Sequence, residues 1–120
     1  ASFIYFLDDR PHARAFETYF EEHPGAIDLW LGGHTHALPD DRYGGRSHIE
    51  RKWSVGFVNC CALTRYHAGK APLSRLLTFT EGSNRVRVQC YLHTSEFAPE
   101  GWWEPGERML PLRHAFTSGR

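Results

Sequence analysis

The sequence carries no excess of either charge. Fourteen Lys and Arg balance fourteen Asp and Glu over 120 residues, a formal net charge of zero at neutral pH. No global field therefore draws the chain to a polyanion or an anionic membrane, and nucleic acid is not indicated as a partner. No apolar run approaches the roughly 20 residues that a bilayer-spanning helix needs. Residues 1–7 carry neither a basic stretch nor a cleavage site of the signal-peptide kind. These absences lead to the expectation of a cytoplasmic protein that makes no membrane contact. Cysteine is scarce as well: Cys60, Cys61 and Cys90 form neither an even disulfide framework nor a C-x-x-C metal pattern, and all three are expected as reduced, buried thiols. The only methionine is Met109 and the chain begins at Ala1, which suits a processed start or the later part of a longer protein. There is no internal repeat and no low-complexity tract.

What is present is enough apolar material for a core. Hydrophobic residues make up 41% and charged residues 23% of the chain, with 8 Phe, 5 Tyr and 4 Trp, a profile that excludes disorder as the main state. At this length one domain is expected.

Residues 3–7 form an apolar run of strand length. Asp8, Asp9 and Pro11 come next, residue types that cap and open a helix. His12, Phe16, Tyr19, Phe20 and His23 then recur on one face of a 3.6-residue repeat until Pro24 and Gly25 end it. That face is expected to pack on a sheet. Residues 26–31 are a second strand closed by Gly32 and Gly33, and strand, helix, strand suits a right-handed parallel crossover. Residues 39–46 read as an exposed loop running toward Lys52, and residues 55–59 as a third strand. Two further strands flank Glu81-Gly82-Ser83-Asn84 as a hairpin. In the second of them Val86, Val88, Cys90 and Leu92 alternate with Arg87, Gln89 and Tyr91, the period of a half-buried antiparallel strand. Residues 94–120, with Pro99, Pro105, Pro111 and the pair Trp102-Trp103, are expected as an irregular C-terminal wrapping segment, the tryptophans lidding a hydrophobic edge.

The most informative residues are Gly32-Gly33-His34-Thr35-His36. Two imidazoles at i and i+2 in extended chain project to the same side, and their neutral nitrogens suit Mn, Fe or Zn. Glycine before them lets the backbone turn sharply and approach an ion without a Cβ. Functional groups in parallel sheets gather beyond the carboxyl ends of strands, which is where these residues fall. Arg65 and His67 come after the strand end at Asn59 and are candidates for phosphate contact. Cys60 has no base beside it in sequence and is expected as an inert buried thiol.

The stretch from Ile27 to Ala37 resembles the closing G-H-x-H motif of calcineurin-like metallophosphoesterases, here Gly33-His34-Thr35-His36, with its strand before and its loop after. The strands at 57–59, 74–80 and 85–91 are similar to that family's C-terminal strand order, so the likeness covers residues 3–93. It implies an α/β (α+β) fold, the C-terminal part of a sandwich of two mixed β-sheets with flanking helices. It also implies a phosphatase or phosphodiesterase using two divalent metal ions (Mn, Fe or Zn), which activate a hydroxide against a phosphate-ester substrate. His34 would bind one ion and His36 the other. The family's aspartate-rich and Asn-His motifs do not occur in these 120 residues, so residues 1–93 would be the C-terminal portion of the catalytic domain, completed by the upstream part of the same protein. Two rivals remain open: a non-catalytic αβ binding or assembly module, and a mononuclear structural metal site using His34, His36 and another histidine.

Overall fold

A computed structural model describes residues 11–33, 42–43, 46–47, 49–60, 63, 72–93 and 99–119, with the backbone alone at 12–13, 42–43 and 46–47. The architecture is α+β: among the described residues there are one α-helix and two principal sheets, with a separate ladder of two two-residue strands.

Helix α1, Pro11–Glu22, begins at its proline, whose missing N–H costs nothing in the first turn. It ends where Gly25 adopts φ +87°, a left-handed conformation open to glycine without strain. Strand β1, Leu29–Gly32, starts later than the apolar run that announces it. It pairs in parallel with β5, Val55–Asn59, in the register Leu29 to Gly56 through Gly32 to Asn59. On the other side of β5 lies β4, Ile49–Lys52, antiparallel. The expected crossover strand at 3–7 lies outside the described residues.

The stretch read as a loop is more ordered than that. It contains the short antiparallel ladder of β2, Arg42–Tyr43, with β3, Arg46–Ser47, and then β4. The reason β4 escapes sequence reading is its turn. Lys52 pairs with Val55, so Trp53 and Ser54 alone make the hairpin, both at positive φ (51° and 63°). Such turns are normally signalled by Asn-Gly or Asp-Gly, and Trp-Ser carries no such signal.

The second sheet is built around β7, Arg85–Leu92, which pairs with β6, Leu73–Phe79, as a long hairpin. Gly82 at φ +72° turns the connection, and Ser83 N–H donates to the Thr80 carbonyl at 2.9 Å. Beyond residue 98 the structure departs from the irregular chain expected there. β8, Gly101–Trp102, and β9, Arg108–Pro111, both pair with β7 on the edge away from β6, separated by a single 3₁₀ turn, Glu104–Gly106. Two of the three prolines leave room for this: Pro111 stands at a strand end and Pro105 in the 3₁₀ turn.

Both faces of the first sheet are covered, which is why all five residues of β5 are buried. On one face Phe20 of α1 packs with Val55 and Phe57, flanked by Ile27, Trp30 and Trp53. On the other, Val58, Leu29 and Ile49 meet Val86, Val88, Leu77, Leu110 and Leu112. The helix face is only partly sunk: Phe20 is 1% exposed, but Phe16 is 41% and Tyr19 47% exposed. A third cluster, Leu73, Cys90 and Leu92, is covered by Trp103, whereas Trp102 points outward. The lid expected of the tryptophan pair is therefore supplied by Trp103.

The chain after β9 crosses between the two sheets. Leu112 N–H donates to the Asn84 carbonyl, while the Asp28 carboxylate accepts from Arg113 N–H at 2.8 Å and from the backbone and ring nitrogens of His114 at 3.3 and 3.1 Å. Phe116 then pairs with the β6–β7 turn through Ser83 and Gly82 and lies 5.3 Å from the Phe79 ring.

Candidate functional site

The parallel pairing of β1 with β5 fixes the geometry of the candidate site. Parallel strands end on the same edge of a sheet, and here Gly32 and Asn59, the last residues of the two strands, are direct partners. One further bond, from Cys60 N–H to the Gly32 carbonyl at 2.8 Å, carries the pairing a residue past β5. The two segments beyond these strands, starting at residues 33 and 60, therefore leave the sheet side by side. His34 and His36 belong to the first, Arg65 and His67 to the second; all four lie outside the described residues.

The two glycines before the histidines close the described part of this segment. Gly32 is the final residue of β1, and neither it nor Gly33 adopts positive φ. What glycine supplies at Gly33 is space: a Cβ built there meets no heavy atom within 4 Å. Leu31, two residues upstream on the side of the sheet that carries Leu29, is 54% exposed, so the apolar core stops before this edge. Asn59 is fully buried, the one buried polar side chain among the described residues.

Cys60 corrects the sequence expectation. It is exposed, because it is the first residue beyond β5 where the chain leaves the double-sided core, whereas Cys90, in the buried row of β7, fits it. Burial pushes the Cys90 thiol up, and the nearby Arg75 guanidinium offsets part of that shift.

Among the described residues no group of three or more His, Cys, Asp or Glu side chains is arranged to hold a metal ion. The described histidines have other neighbours. His23 stacks on Tyr19 with ring centroids 4.6 Å apart, His93 Nε2 lies 2.7 Å from Ser74 Oγ, and His114 is held by Asp28. His12 lies in the first turn of α1.

Two polar groupings had no signal in the sequence. Asp28 binds residues 85 and 86 positions away. The Arg87 guanidinium makes a two-pronged pair with Glu107, Nε to Oε1 at 2.6 Å and Nη2 to Oε2 at 3.2 Å. Hydrogen bonds from Arg87, with a smaller contribution from Gln89, hold the Glu107 carboxyl below the usual carboxylate range. Both groupings depend on β9 and on the residues C-terminal to β8, the part of the chain whose order the sequence does not announce. No family model matches the chain, and neither a curated protein nor a solved structure matches it significantly.

Proposed function

We propose that the chain is the C-terminal portion of a calcineurin-like, metal-dependent phosphoesterase, acting on a phosphomonoester or phosphodiester. The observation that supports this reading best is the shared carboxyl edge of β1 and β5, with Gly32 opposite Asn59. Ligands in sheets with parallel strands gather beyond such an edge, and both segments carrying the candidate residues depart from it. In this reading the two sheets are facing layers of a sandwich, consistent with the shared cluster of Val58, Val86 and Val88.

His34 and His36 would each give one neutral imidazole nitrogen to one of two divalent ions, a donor type suited to Mn, Fe or Zn. Bound ions would supply a nucleophile at neutral pH and stabilise the charge that develops on the phosphoryl oxygens. Two imidazoles do not satisfy or neutralise two ions, so the carboxylate donors would come from the upstream part of the same protein. Arg65 and His67 would orient the ester through charge-assisted hydrogen bonds to its phosphate.

The test is metal content and ester hydrolysis by the complete protein carrying His34→Ala or His36→Ala. Each variant should lose part of its metal and about a hundredfold or more of its turnover, with the thermal transition unchanged. The 120-residue chain alone should bind divalent metal weakly and hydrolyse no chromogenic phosphate ester. Full metal content with near-normal rates in both variants would replace this reading with that of a binding module.

A further inference from the structure

The outer face of the four-stranded sheet carries a second set of groups, built quite differently from the β1–β5 edge. Residues opposite one another in an antiparallel pair share a face. Tyr91 faces Trp102 across β8, and Arg87 faces Met109 across β9, so these side chains lie on the side away from Val86, Val88 and Leu92. Trp102 is 55% exposed and Met109 52%, large apolar groups left in water. The Trp102 ring is not loose: it stands edge-on to Tyr91, centroids 5.1 Å apart at 85°.

Between these apolar groups runs a polar row. Gln89 lies between Tyr91 and Arg87 on β7, and the Arg87–Glu107 pair borders an open depression of about 450 Å³ that Met109 also lines. The carboxylate is fixed by two guanidinium nitrogens, yet each oxygen keeps a lone-pair direction for a further donor. Both arginines beside the depression are committed within the protein. Arg87 is bound to Glu107, and Arg108 donates to the carbonyls of Pro105 and Glu107 at 2.8 and 2.7 Å.

We infer that this face binds a neutral oligosaccharide, with Trp102 as the stacking platform and the Glu107 carboxylate, held by Arg87, as acceptor for ring hydroxyls. The C–H face of a pyranose carries the weak positive potential that an indole face attracts. A carboxylate fixed by a guanidinium suits neighbouring hydroxyl groups, which donate to it. An anionic ligand would meet Glu107 with both nearby guanidinium groups already engaged. Length fits a chain better than a single ring: from Tyr91 to Arg87 the strand spans roughly 13 Å at about 3.3 Å per residue.

The experiment titrates the 120-residue protein with maltotetraose, cellotetraose and chitotetraose, using amide chemical shifts and tryptophan fluorescence, with adenosine and a tetragalacturonate as comparators. At least one neutral tetramer should give saturable shifts centred on Trp102, Gln89 and Arg87. Trp102→Ala should weaken it by about tenfold or more, the scale of a lost stacking contact. Glu107→Gln, which leaves the aromatic platform in place, should weaken it severalfold and serves if Trp102→Ala does not fold. The inference is overturned if none of the three neutral tetramers binds, if binding survives Glu107→Gln unchanged, or if adenosine or the uronate binds more tightly. None of these outcomes bears on metal content at His34 and His36, so the two proposals fail separately.

Discussion

Phe16 and Phe20 stand one turn apart on the same helix, have the same side chain, and differ in burial by a factor that sets their energetic weight. Phe20 is 1% exposed and sits 6.3 Å from the Trp30 ring and 6.2 Å from the Trp53 ring. Fully burying an aromatic side chain removes about 200 Å² from water, worth up to about 5 kcal/mol at about 25 cal/mol per Å². Phe20→Ala also leaves a cavity sealed by Val55 and Phe57, so a loss of about 3 to 5 kcal/mol is expected. Phe16 is 41% exposed and its principal contact is edge-on to Trp30 at 5.5 Å. Only about three fifths of the transfer free energy is at stake there, and water fills the vacated space, so Phe16→Ala should cost about 1 to 2 kcal/mol. Alanine's better helix propensity lowers both figures by about half a kcal/mol and cancels in the difference. Urea unfolding monitored by circular dichroism reads that difference directly. With m near 1 to 2 kcal/mol/M, the two midpoints should lie roughly 0.5 M or more apart, with m itself unchanged. An equal or larger cost at Phe16 would refute this packing of α1.

Three further outcomes are expected. Asp28→Ala removes the acceptor for three bonds and should cost about 1 to 2 kcal/mol, with limited proteolysis appearing near residue 113; unchanged protease resistance would show that the bonds do not hold the segment. Because the folded protein depresses the Glu107 carboxyl, that group stabilises the fold above the unfolded value of about 4.3 and loses its contribution as pH falls through the lower folded value. Denaturant midpoints across that acid range should therefore slope less in Glu107→Gln, and identical slopes would discount the Arg87 pair. Iodoacetamide should modify Cys60 in the native protein and Cys90 only on unfolding, read by peptide mass spectrometry; simultaneous labelling of both would contradict the burial of β7.

Legibility in the sequence tracked the range of the interactions. The alternation of Val86, Val88, Cys90 and Leu92 reports a strand with one face in the core, and β7 has that burial pattern. Helix α1 is announced by Pro11 and by its 3.6-residue repeat, which ranks Phe16 with Phe20 because periodicity locates a face without saying how deeply each residue sinks. Strand β4 is hidden by a positive-φ turn made of Trp53 and Ser54. β8 and β9 are hidden for another reason: their few residues gain order from pairing with β7, a partner outside any local window. The candidate site divides similarly. The motif Gly33-His34-Thr35-His36 is read directly from the sequence, whereas the pairing of Gly32 with Asn59 spans 27 residues and requires the sheet.

The bonds from residues 112–118 to Asp28 and to the β6–β7 turn also order the events of folding. The β6–β7 hairpin closes over a short loop, whereas β1 must find β5 across the intervening chain. The Asp28–His114 contact joins residues 86 positions apart and cannot form before residue 114 is present. During synthesis Asp28 therefore waits until residues 113 and 114 have emerged. Until residues 113–116 arrive, the Asp28 end of β1 and the β6–β7 turn are not cross-linked by this segment, and a chain stalled before residue 112 exposes that unclosed seam to chaperones and proteases.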